Sequence, residues 1–127
     1  MAFETNAMHA QDVLQALSES SRTNRNILIE YGGDWCKWSK RMESVLETPE
    51  ISSFIKDNFV FLRSYVGADG SYDSSSIELP STSFVPYFSL VRPDRTVIAN
   101  QPTEGFEFLW FYKKAAILEF LKAWARL

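Results

Sequence analysis

Residues 32–42 read GGDWCKWSKRM and hold the only cysteine of the chain. A cysteine reacts as its thiolate, so the charges around Cys36 decide what it can do. The apolar run ILIEY precedes it, Gly32 and Gly33 make a turn, and helical spacing begins near Trp35 or Cys36. That order puts Cys36 at a helix N-terminus. Backbone N–H groups there lack intrahelical partners and carry partial positive charge, which stabilises a thiolate. Lys37 and Lys40 add to the effect and Asp34 opposes it. Ser39 lies three residues on, faces the same side of the helix, and has a hydroxyl able to donate a hydrogen bond to the thiolate. With no second cysteine, neither the fold nor any catalytic cycle within the chain can use an internal disulfide. The plainer alternative is that Cys36 is a small buried hydrophobe.

The elements that must hold this turn follow from the hydrophobic periods. Ala10, Val13, Leu14 and Leu17 recur at helical spacing, and the polar SESSRTNRN after them reads as a loop. ILIEY (27–31) is a buried strand. Thr48-Pro49 starts a second helix behind the Cys36 helix, with Ile51, Phe54 and Ile55 as its apolar stripe. FVFLRSYV (59–66) is a strand. The Gly-, Ser- and Asp-rich residues 67–83 are long for an unstructured loop, so a short helix is expected near Asp73–Leu79. VPYFSLV (85–91) and TVIAN (96–100) are strands joined by a tight turn at Arg92–Arg95. The aromatic segment EGFEFLWFY (104–112) is expected to pack under a last helix that carries Ile117, Phe120, Leu121 and Trp124 on one face. Alternation of strand and helix in the first half implies parallel pairing, and the late hairpin adds an antiparallel edge. The fold class is therefore α/β, one domain over 1–127, with a mixed sheet of about four strands and helices on both faces.

Composition narrows the function. At 127 residues, 46% hydrophobic and 15% aromatic, the chain has the material for one packed core. The formal net charge is −3 with the signs interspersed, so no nucleic-acid partner is indicated. No run is long enough to span a membrane and no signal peptide is visible, which points to the cytoplasm for the chain as written, or to the periplasm or exterior for a trimmed one. His9 is the only histidine and lies far from Cys36 in sequence. A Cys–His pair is therefore not expected, and a zinc site has too few ligands.

ILIEYGGDWCKWS resembles the active-site segment of the thioredoxin superfamily. Glu30 stands six residues before Cys36, where the family has a buried acid, and Trp35 matches the Trp before its first cysteine. The pattern is most similar to thioredoxin-like proteins akin to bacterial disulfide reductases and isomerases. The resemblance implies a thioredoxin-like fold, a cis-proline at Val85-Pro86, and thiol–disulfide exchange with protein clients. It implies no bound cofactor, with glutathione as a candidate co-substrate. Position 39 departs from the family: a serine stands where the second cysteine would resolve the mixed disulfide. Cys36 is then a single nucleophile that passes a glutathione adduct, shuffles client disulfides, or retains clients covalently. Ser39 is alternatively an engineered change in a dithiol enzyme. Glu30 either assists proton movement or is a structural acid bonded to Ser39, a lysine or water. Without an N–H, Pro86 leaves the Val85 backbone to pair with an extended client strand, and Trp35, Lys37, Trp38, Phe84 and Tyr87 would rim the site, Trp38 as the exposed member. The competing class is a redox-inactive binding module on the same fold.

Overall fold

The computed structural model describes residues 10–69 and 85–125. The helix expected near Asp73–Leu79, Phe84 and His9 all lie outside those residues. The order is α1 (Ala10–Thr23), β1 (Asn26–Gly32), α2 (Lys37–Leu46), α3 (Pro49–Asn58), β2 (Phe59–Tyr65), β3 (Tyr87–Val91), β4 (Val97–Pro102), a 3-10 turn (Thr103–Phe106), β5 (Glu107–Phe108), β6 (Phe111–Tyr112) and α4 (Lys114–Trp124). The main sheet runs β2-β1-β3-β4. β1 pairs parallel with β2 and antiparallel with β3, and β3 pairs antiparallel with β4. Antiparallel pairing thus reaches the centre of the sheet rather than stopping at its edge.

β1 is buried along its whole length and its side chains alternate between two cores. Ile27, Ile29 and Tyr31 join Val13, Ala16 and Leu17 of α1 on one face. Leu28 joins Met42 and Leu46 of α2, and Ile117 and Leu121 of α4, on the other. Glu30 has the parity of Leu28. Period two therefore sends a carboxylate into the apolar layer beneath α2.

Three readings need correction. α1 does not end at Leu17 but continues to Thr23. Its polar tail is held locally: Arg22 pairs with Glu19 at 2.7 Å, and the Thr23 hydroxyl donates to the Glu19 carbonyl. It stops at Asn24, whose φ of 55° is the left-handed conformation that asparagine tolerates. Leu14 is exposed; the buried stripe is Val13, Ala16, Leu17 and Ser20. The aromatic segment 104–112 packs inward only at its ends. Phe106 packs tilted against Phe120 of α4 and Tyr112 is buried, while Phe108, Leu109, Trp110 and Phe111 form the exposed tip of a second, two-stranded sheet. Leu109 turns the chain at φ 56°.

Among the described residues no helix is long and apolar enough to cross a membrane, and no group of His, Cys, Asp and Glu is placed to hold a metal.

Candidate active site

Cys36 is the N-cap residue of α2, in extended conformation and partly exposed. The turn is closed by the Cys36 N–H donating to the Gly33 carbonyl at 3.1 Å. The Lys40 N–H donates to the Cys36 carbonyl at 3.1 Å. The N–H groups of Lys37, Trp38 and Ser39 therefore precede the first intrahelical bond and gather at the cysteine. Lys37 is exposed.

Gly33 is where the turn demands a glycine. A Cβ there would lie 2.3 Å from Trp35 Nε1 and 2.6 Å from the Val66 carbonyl oxygen. Trp35 Nε1 donates to that same oxygen at 2.7 Å, tying the turn to the end of β2. Gly33→Ala must displace backbone as well as the indole. We expect a loss of about 1–3 kcal/mol in urea melts and a red-shifted Trp emission as Trp35 is freed. An unchanged melt would show that the turn yields without strain.

The two tryptophans exchange their expected roles. Trp35 is 46% exposed despite its hydrogen bond. Trp38 is half-buried, edge-on to Tyr112 at 4.9 Å between centroids, with the Arg41 guanidinium 4.8 Å from its ring. Helical spacing explains this: Trp38 shares a face with Met42, which is fully buried.

Ser39 is fully buried, and its Oγ accepts the Gly33 N–H at 3.3 Å. That bond uses a lone pair and leaves the hydroxyl proton to donate. Glu30 bonds neither to Ser39 nor to a lysine. Its Oε1 accepts from Arg63 Nε at 3.1 Å, and its Oε2 is buried without a hydrogen-bond partner. Arg63 stands opposite Glu30 in the β1–β2 register. Burial pushes the Glu30 carboxyl up to about 7; the Arg63 guanidinium restrains the rise and Glu43 adds to it.

The Val85–Pro86 peptide bond is cis. The Pro86 carbonyl accepts the Thr103 hydroxyl at 2.9 Å. With that proton committed, Thr103 Oγ1 accepts the Tyr112 hydroxyl at 3.1 Å. Burial holds the Tyr112 phenol well above its ordinary range, and the charges of Glu107, Cys36 and Glu30 press it further. Tyr112 thus joins three parts of the site: Trp38 of α2, the Pro86 carbonyl, and the electrostatic surroundings of Cys36. A groove of about 430 Å3 opens here, lined by Trp38, Val85, Pro86, Tyr87, Glu104 and Glu107; Cys36 is not among the described residues that line it. A larger cavity, about 560 Å3, is lined by α1 and β2, with no residue from the Cys36 turn.

The structure therefore brings Trp38, Val85 and Pro86 to one groove, and puts Ser39 against the turn that presents Cys36. Glu30 lies in the same apolar layer as α2, held by Arg63. Sequence reasoning missed Arg63, Thr103, Tyr112, Glu104 and Glu107. Arg63 had a signal: it is the one charged residue in a largely apolar strand, as Glu30 is in β1. The pairing of the last four depends on the small second sheet, which no period announced.

A central β1 carrying a buried acid, a turn with cysteine at a helix head, and a cis-proline leading into the neighbouring strand define the thioredoxin-like class. The model of a family described as thioredoxin-like matches residues 7–93, and the chain belongs to that family. No curated protein matches it in sequence. Among solved structures, a disulphide isomerase from Xylella fastidiosa Temecula1 is similar, with a TM-score of 0.70 and 19% identity, over 95% of this chain and 94% of that one. A structure described as DsbH oxidoreductase has a TM-score of 0.66 and 16% identity, over 99% of this chain and 88% of that one. A thioredoxin from Thermus thermophilus has a TM-score of 0.59 and 18% identity, over 87% and 81%. At these identities the likeness is one of fold.

Proposed function

We propose that the chain is a thiol–disulfide exchange protein with Cys36 as its single nucleophile. The observation that carries this reading is a partly exposed cysteine at the N-cap of α2, two residues before Trp38, which lines the groove with Val85 and Pro86. The groove offers backbone to an extended segment. The Cys36 thiolate attacks one sulfur of a client disulfide. The client S–S bond breaks, a mixed disulfide forms, and the other client sulfur leaves as a thiolate. A second thiol then attacks the mixed disulfide and restores Cys36. If that thiol is the client's own, a disulfide is moved with no net oxidation or reduction. If glutathione supplies it, two glutathione thiols are oxidised to glutathione disulfide and the client is reduced. Ser39 supplies no resolving sulfur in either case, so release depends on a thiol from outside the chain.

The direct test is intact-mass analysis after mixing with a disulfide-bonded peptide. A peptide-sized adduct on Cys36, removed by dithiothreitol, is the expected result. Absence of any adduct at neutral pH would remove the reading and favour a second one. In that reading the fold presents the exposed Phe108–Phe111 tip to a partner protein and Cys36 is incidental.

A further inference from the structure

The groove at Trp38 is lined by charge of one sign. Among the described residues that line it, the formal charges are the carboxylates of Glu104 and Glu107, with no lysine, arginine or histidine. The two glutamates are three residues apart and are held together by the Glu107 N–H donating to the Glu104 carbonyl at the end of the 3-10 turn. Neither forms an ion pair with another described residue. Glu104 is exposed and Glu107 half-exposed, so both meet whatever enters. The same lining includes the apolar Val85 and Pro86 and the rings of Trp38 and Tyr87; the Arg41 guanidinium lies 4.8 Å from the Trp38 ring. Trp38 lies two residues along α2 from Cys36, and that ties the groove to the thiol.

We propose that this groove selects an extended disulfide-bonded client segment carrying a basic side chain next to its cysteine, with Glu104 and Glu107 as the residues that read it. The proposal rests on the exchange reading of Cys36. A lysine or arginine suits this lining: its methylene stem lies on Val85, Pro86 and Tyr87, and its head meets the carboxylates. The same carboxylates work against anionic disulfides. Glutathione disulfide carries four carboxylates and two ammonium groups, so it is repelled where a basic peptide is drawn in. Opposite charges at a partly exposed groove act mainly on encounter and fade with salt.

Three symmetric disulfide peptides that differ only in the residue beside cysteine, Lys, Gln or Glu, test this with glutathione disulfide as a fourth probe. The rate of adduct formation on Cys36 is measured at 20 mM and 500 mM salt. Each rate is divided by the rate of the same disulfide with free mercaptoethanol, which removes intrinsic reactivity. The expected order is Lys over Gln over Glu. The Lys-to-Glu ratio should be on the order of tenfold at low salt and shrink several-fold at high salt. In the double variant Glu104→Gln, Glu107→Gln, with its melt checked, the ratio should fall to about one, as the loss of both lining charges requires. Equal normalised rates for the three peptides, or a preference that survives the double variant, would overturn the proposal while leaving exchange intact. Failure of every probe to form an adduct would overturn the exchange reading itself, and this proposal with it.

Discussion

Cys36→Ala abolishes exchange, and Ser39→Cys shortens the life of the mixed disulfide by at least about a hundredfold: these are the expected results for a single-thiol site of this geometry. The first follows from chemistry, since the described site has no other sulfur to attack a disulfide and no histidine stands in the chain beyond His9. Rates with the alanine variant should equal those of buffer. The second follows from placement. Ser39 is one helical step from Cys36, fully buried, and fixed by the Gly33 N–H. A thiol there is held against the mixed disulfide it must attack. Well-oriented intramolecular reactions reach effective molarities of about 10⁵ M and above. Even a small fraction of that outruns an external thiol at millimolar concentration. Adduct lifetimes from quenched mass analysis check both variants. The cysteine replaces a buried hydroxyl that accepts a hydrogen bond, so Ser39→Cys is also expected to cost about 1 kcal/mol of stability. A mixed disulfide that persists in Ser39→Cys would mean that position 39 cannot reach Cys36, and the helix-face argument would fail.

How far the sequence could go is best seen residue by residue. ILIEY, FVFLRSYV and the Thr48-Pro49 helix start were legible because each carries a strong local signal, and they place Cys36 at the head of α2. The α1 tail was not, because SESSRT is polar and its helix is held by Glu19–Arg22 and Thr23–Glu19 contacts, which no hydrophobic period records. The exposure of Trp35 and Trp38 was reversed because it depends on which ring meets Tyr112, a residue far along the chain. The hairpin at Phe108–Phe111 hides its type: its two strands are two residues each and its turn is built on leucine rather than glycine. The acidic lining of the groove follows from that hairpin, so it was equally illegible. Glu30 could be seen as a buried acid, but its partner required the β1–β2 register.

That register leads to the largest expected effect on stability. Glu30 rises to about 7 in the folded chain from an ordinary 4.5. Below the ordinary value both folded and unfolded chains hold the proton, and stability does not respond. As pH rises from there, the unfolded chain releases its proton while the folded chain keeps it. The folded state then binds more protons, so stability falls with pH until the folded carboxyl has ionised too, and is level above about 8. The difference amounts to about 3 kcal/mol. Urea melts from pH 4.5 to 8.5 should show that fall in the wild type, and Glu30→Gln should lose about that much of the slope. Arg63→Met sharpens the test. At pH 8 the Glu30 carboxyl, deprived of its counter-charge, takes up a proton rather than staying ionised, which adds about 1.4 kcal/mol to the loss. At pH 5 the carboxyl is already protonated, so that added loss is absent and only the pH-independent cost of removing the Arg63 side chain remains. The cost of Arg63→Met is therefore pH-dependent in the wild-type background and nearly flat in the Glu30→Gln background. If it were equal at both pH values, Glu30 would be ionised throughout, and the buried acid beneath α2 would be a fixed half of an ion pair rather than a group able to hold and give up a proton near neutral pH.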